Sequence, residues 1–196
     1  MPKKREKLDI KCTDFKCAED EHCFSPKKPP KERRHSPSIC TNCGASPIEW
    51  DLLHKRDINN ISILVSSLKK EHIRAYFWRN DISWVSKRRP LMIGRQRLEK
   101  KVRLRLKKSI GLGHHFREGQ QTPLLRDDDP IHYAQHATAT CCRKCVFYWH
   151  GIPEERDLLQ AELDYLEKVI WAYLNVKLPD LLNEENRVQS ELDLSL

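Results

Sequence analysis

A chain of 196 residues, 39% hydrophobic and 33% charged, is long enough to bury a core without help from metal or disulfides. No apolar run approaches the roughly 20 residues of a membrane-spanning helix, so a soluble globular chain is expected. The formal charge of +8 is unevenly placed: Lys87 to Lys108 holds eleven Lys and Arg against one acid, Glu99, which makes that segment +10 and the remainder slightly acidic. Such asymmetry is expected of a docking surface for a phosphate backbone or another polyanion, with a solvated basic helix as the alternative.

The N-terminus, Met-Pro-Lys-Lys-Arg-Glu-Lys, has no apolar stretch behind it, so no secretory signal is read and a cytoplasmic location with reduced thiols is expected. All eight cysteines fall in two clusters, Cys12 to Cys43 and Cys141 to Cys145. In a reducing compartment these spacings point to metal ligands rather than a disulfide framework, with redox-active thiols as the counter-reading.

In chain order, residues 1 to 24 carry Cys12, Cys17, His22 and Cys23 without a helical or strand period, and cannot fold on apolar burial alone. Ser25 to Ser38, with four prolines and five Lys or Arg, reads as an extended basic loop. Cys40-Thr-Asn-Cys43-Gly44 has the form of a zinc knuckle, in which two thiolates two residues apart grip one ion and the glycine permits the turn. The knuckle supplies two ligands, and the remaining pair is assigned to Cys17 and Cys23, with Cys12, His22 and His54 as substitutes. Structural zinc is the expectation, since a closed four-ligand site leaves no position open for chemistry.

A helix is expected from about Asn60 to Trp78, with Ile61, Leu64, Val65, Leu68, Ala75 and Tyr76 on one face and His72 as a hydrogen-bonded core residue. Tyr76, Phe77, Trp78 and Trp84 would pack the core or, alternatively, stack on bases. Arg95 to Lys108 reads as a helix with Leu98, Val102, Leu106 and Ile110 inward and Gly111 and Gly113 as its stop; a strand aiming Arg103, Arg105 and Lys107 at one face is the other geometry. Gly111 to Ile131 is loop-like and contains Asp127 to Asp129, read as a solvated turn or as carboxylates beside an ion.

His132 to His150 packs three cysteines and three histidines into nineteen residues. His136, Cys142, Cys145 and His150 are assigned to a second ion, with Cys141 and then His132 as substitutes, and with Arg143 and Lys144 offsetting the thiolate charge. Deamination is disfavoured because position 138 is Thr, where that chemistry needs a Glu. A dithiol pair lacks its strand-then-helix setting, and an iron–sulfur cluster lacks a clear fourth ligand. Leu159, Leu163, Leu166, Ile170 and Tyr173 then mark a last helix, capped by Asp157 and ended by Pro179, before an acidic tail from Asp180 to Leu196.

The stretches Gly119-Gln-Gln-Thr-Pro123, Ile131-His-Tyr-Ala-Gln-His-Ala-Thr-Ala-Thr-Cys-Cys-Arg-Lys-Cys145 and Tyr148-Trp-His-Gly-Ile-Pro153, with the Leu163-Asp-Tyr-Leu helix, resemble a family of small bacterial proteins known only as a domain of unknown function. The resemblance covers about residues 58 to 178. It implies that the Cys/His motif acts as a unit, and that the Cys40 to Asp57 knuckle recurs in some relatives; it brings no reaction.

The sequence therefore predicts a mainly α protein: a Cys-rich zinc-knuckle module over 1–57, a helical metal-binding body over 58–178 and an acidic tail over 179–196. Two Zn2+ ions are expected, an iron–sulfur cluster less so. Nucleic acid, DNA or RNA, is the expected partner, bound through Arg95, Arg97, Lys100, Lys101, Arg103, Arg105, Lys107 and Lys108. The alternatives are a metal-dependent, nuclease-like hydrolase at the His136/Cys142/Cys145 ion with Asp127 or Asp129, and an adaptor meeting a protein partner through the basic face or the last helix.

Overall fold

The computed structural model describes residues 10–24, 39–113 and 129–181. The Pro-rich basic loop, the Gln-Thr-Pro motif, Asp127, Asp128 and nearly all of the acidic tail lie outside the described residues. What is described is mainly helical, as its heptad-like apolar spacings demand: α1 Trp50–Leu53, α2 Ile61–Leu68, α3 His72–Arg79, α4 Trp84–Ile110, α5 Pro130–Ala137, α6 Arg143–His150 and α7 Gln160–Lys177. Among the described residues no helix is long and apolar enough to cross a membrane.

The single helix expected over 60–78 is two helices. Lys69 to Glu71 leave the helical path because their backbone pairs with the N-terminal segment: the His22 N–H donates to the Lys70 carbonyl at 2.7 Å and the His72 N–H to the His22 carbonyl at 2.9 Å. That bridge docks residues 16–24 on the helical body, and Phe24 completes the join by packing edge-on against Trp50 and Trp149. One continuous core results, running from Ile10 and Phe24 through Trp50 to α7.

α4 adopts the helical geometry rather than the strand. Ser83 caps it by accepting the Ser86 N–H, and Leu98, Val102, Leu106 and Ile110, four residues apart, are all buried. Gly94 interrupts it at φ 72°, ψ 169°, a backbone conformation that L side chains rarely adopt, so the residues before it leave the axis of those after it. α5 starts on Pro130 with the Asp129 side chain accepting the Ile131 N–H, and it packs against α3, α4 and α7. α6 ends at Gly151 in the left-handed region (φ 61°), where a Cβ would come within 2.8 Å of the His54 ring.

α7 buries Leu163, Leu166, Ile170 and Tyr173 as expected, whereas Leu159 is exposed. Its first turn is held by Glu162, whose carboxylate accepts the Leu159 N–H at 2.9 Å. Asp157, the expected cap, accepts the Gly113 N–H instead.

Candidate metal centres

The first cluster is built by a tight turn. Lys16 and Glu21 pair as an antiparallel bridge around the single 3-10 turn Cys17–Glu19, which brings Cys17 and His22 near one another. The knuckle meets them from the other side, closed by the Gly44 N–H donating to the Cys40 carbonyl at 3.0 Å with Gly44 at φ 75°. Cys17, His22, Cys40 and Cys43 then present four ligand atoms all within 4.8 Å of one another and can hold a metal ion. The Cys17 and Cys40 sulfurs are 3.7 Å apart, and His22 Nδ1 is 3.4 Å from the Cys43 sulfur.

This is not the four-cysteine set of the sequence reading. His22, there a substitute, stands where Cys23 was assigned, because adjacent residues of an extended backbone face opposite ways. With His22 turned to Cys43, Cys23 points to the body, its sulfur 3.3 Å from the Cys12 carbonyl oxygen. His54 is also elsewhere: its Nε2 donates to the Tyr148 carbonyl at 2.9 Å.

The surroundings favour ligation. His22 Nε2 lies 3.0 Å from Asp20, which Lys70 in turn holds at 2.6 Å, so the carboxylate fixes the ring with Nδ1 facing the sulfurs. Burial would push the Cys40 thiol up, but amide groups of Cys43, Cys23 and Asn42 and the His22 ring outweigh it and bring it down to about 6.

The second cluster follows a strained turn. Ala139, wholly buried, sits at φ 55°, and the chain bends at Cys141 into Cys142, the extended N-cap of α6. Cys141, Cys142 and Cys145 are all buried, with sulfurs within 4.8 Å of one another and Cys141 to Cys145 at 3.6 Å. They too can hold an ion.

Two residues absent from the sequence reading organise this cluster. Arg74, fully buried, donates from Nη2 to the Cys145 sulfur at 3.1 Å, from Nη1 to the His136 carbonyl at 2.6 Å and from Nε to buried Glu71 at 3.0 Å. Trp149 Nε1 donates to the same Glu71 oxygen at 2.9 Å. Hydrogen bonds from Cys141 and Cys142, then the Arg74 charge, hold the Cys145 thiol well below its ordinary range, while Cys141 is pushed well above it. Burial raises the Glu71 carboxyl. Their only sequence signal was an i, i+3 acid–base pair inside an apolar stripe, a pattern that usually marks a solvated face.

The two histidines assigned to this ion lie outside the trio. His150 has both nitrogens engaged: Nε2 lies 3.0 Å from the Thr138 carbonyl, which can only accept, so Nδ1 accepts from the Tyr165 hydroxyl at 3.1 Å. Burial brings His150 down to about 4. His136 is fully buried, stacks on Phe77 at 5.3 Å, and neither ring nitrogen has a hydrogen-bond partner among the described residues. His132, the other substitute, takes the Arg105 guanidinium at its Nδ1 at 3.3 Å. Arg143 serves carbonyls rather than thiolates, donating to Ile110, Pro153 and Arg156.

The basic residues of α4 divide into two groups. Arg103 pairs with Glu167 at 2.6 Å and Asp164 at 2.7 Å, Arg95 bonds Glu99 and stacks on Trp171, and Arg105 bonds Gln135. Arg97, Lys100, Lys107 and Lys108 are exposed and Lys101 half-buried. Of the acids considered for hydrolysis, Asp129 caps α5.

These features define a small helical protein with two thiolate-rich clusters able to hold metal ions. Residues 62–175 match the family described as domain of unknown function DUF4186, and the chain belongs to that family. No solved structure matches it. The first cluster lies wholly before the matched residues, whereas Arg74 and the cysteine trio lie within them.

Proposed function

We propose that the protein is a zinc-stapled nucleic-acid-binding protein. The observation that carries the docking half of this reading is the outward face of α4. Arg97, Lys100, Lys101, Lys107 and Lys108 recur at helical spacing along it, and none has an ion-pair partner among the described residues. Of the inner arginines, Arg103 is neutralised by Asp164 and Glu167 of α7 and Arg95 by Glu99, whereas this outward face keeps its charge for a polyanion. A rigid helix lined with five cations suits a phosphate backbone, and the exposed Trp84 near its start offers a surface on which a base can stack.

Zinc is the metal that the donor sets favour. Tetrahedral zinc with bonds of about 2.3 Å to sulfur and about 2.0 Å to nitrogen places ligand atoms roughly 3.8 Å (S to S) and 3.5 Å (S to N) apart. The 3.7 Å and 3.4 Å edges of the first cluster and the 3.6 Å edge of the second fit those values. Soft thiolate donors point the same way. The ions' role is structural, joining residues 10–24 and 39–57 to the helical body and fixing the turn before α6.

Binding of labelled single- and double-stranded oligonucleotides across a salt series tests the docking half. Five phosphate contacts imply a log–log slope against salt of about −4.5 for duplex or about −3.5 for single strands. Changing Lys100, Lys101, Lys107 and Lys108 together to Gln should flatten it to about −1. Binding that is absent, or unmoved by that variant, refutes the reading.

A further inference from the structure

The cysteine trio offers three thiolates, and a tetrahedral ion needs a fourth donor. As placed, no fourth donor is in reach: His150 has spent both nitrogens on Tyr165 and Thr138, and His136, held in its stack on Phe77, lies outside the circle of ligand atoms, as does Cys12, so the fourth donor must move in. We infer that the fourth donor is Cys12, supplied by the N-terminal segment from outside the family-matched residues, so that one ion is shared between that segment and the α3–α6 body.

Three placements support this. The bridge between His22 and Glu71 lays the N-terminal segment across the start of α3, which has Glu71 as its N-cap and carries Arg74. Cys23, on the body side of that bridge, touches the Cys12 carbonyl oxygen and so anchors the backbone of Cys12 over the same spot. The Cys12 side chain itself is half-buried and packs against the hydrophobic core. Burial pushes the Cys12 thiol up to about 12, and the Arg74 charge opposes that rise.

The chemistry is consistent with closure. Four thiolates around a divalent ion carry a net charge of −2, which a buried site tolerates only beside a cation. Arg74 is that cation, already donating to Cys145. Closure requires the Cys12 thiol to move to the fourth corner, its proton passing to solvent as the ion binds.

This inference rests on the reading of the trio as a metal site, and cobalt(II) titration of the full chain separates the two. Two cobalt ions per wild-type chain, with thiolate-to-cobalt charge transfer at both, are expected. One ion, lost only when Cys17 is replaced, would refute the trio as a metal site and this inference with it. Given two ions, Cys12→Ser should weaken the second by at least tenfold and lower its charge-transfer intensity while leaving the first intact. Cys12→His should restore two ions with a spectrum shifted by the new nitrogen donor, and Cys23→Ser, a neighbour that does not ligate, should keep both. A Cys12→Ser spectrum and affinity equal to wild type, or a loss that Cys12→His fails to restore, would overturn the assignment.

Discussion

Arg74 donates to the Cys145 sulfur at 3.1 Å from a position with no solvent contact, and its other edge is tied to Glu71. A buried guanidinium cannot shed its proton, so it persists only beside matching negative charge. Arg74→Gln should therefore leave Glu71 and Cys145 buried without their counter-charge and cost about 3 to 5 kcal/mol of stability, measured by urea unfolding. Glu71→Gln keeps acceptors for Trp149 and Arg74 and should cost less. Equal and small losses would contradict this account.

At the first cluster, Cys17→Ser should remove one ion and Cys23→Ser none, because His22 rather than Cys23 faces the knuckle. Metal content of the two purified variants decides it, and the reverse pattern would reinstate the four-cysteine assignment.

Asp20→Asn should weaken metal binding at that cluster by about 10- to 100-fold without abolishing it, since Asp20 orients His22 rather than ligating. Competition with a chromophoric zinc chelator reads the change. An unaltered affinity would show that the Asp20 contact does not set the ring.

Acid should destabilise the protein through His150. Burial lowers its folded pKa from 6.5 to about 4, so the unfolded chain takes up a proton that the folded chain refuses. Stability from this group is complete above pH 6.5 and falls by about 1.4 kcal/mol per pH unit as pH drops towards 4. His150→Gln, which can keep both hydrogen bonds, should flatten the unfolding-versus-pH profile in that window by one proton's worth; an unchanged slope would contradict the assignment.

The helical body was legible where apolar spacing is long and regular. Leu98 to Ile110 and Leu163 to Tyr173 are buried along α4 and α7 as their periods predict. The break between α2 and α3 was not, because it depends on a backbone bridge to His22, some fifty residues away, that no local pattern encodes. Both cysteine clusters were visible from spacing alone. The identity of each ligand was not, because it turns on which way an extended residue faces at Cys23 and on which carbonyl captures His150. Arg103 and Arg105 counted as docking residues only while the acids of α7 and the side chain of Gln135 could not be placed beside them.

Elemental analysis of the purified full chain, with its visible spectrum, tests the central claim most directly. About two zinc ions per chain and a colourless solution are the expected result. No bound metal, or iron with a brown absorbance, would contradict the account of two thiolate-held zinc ions.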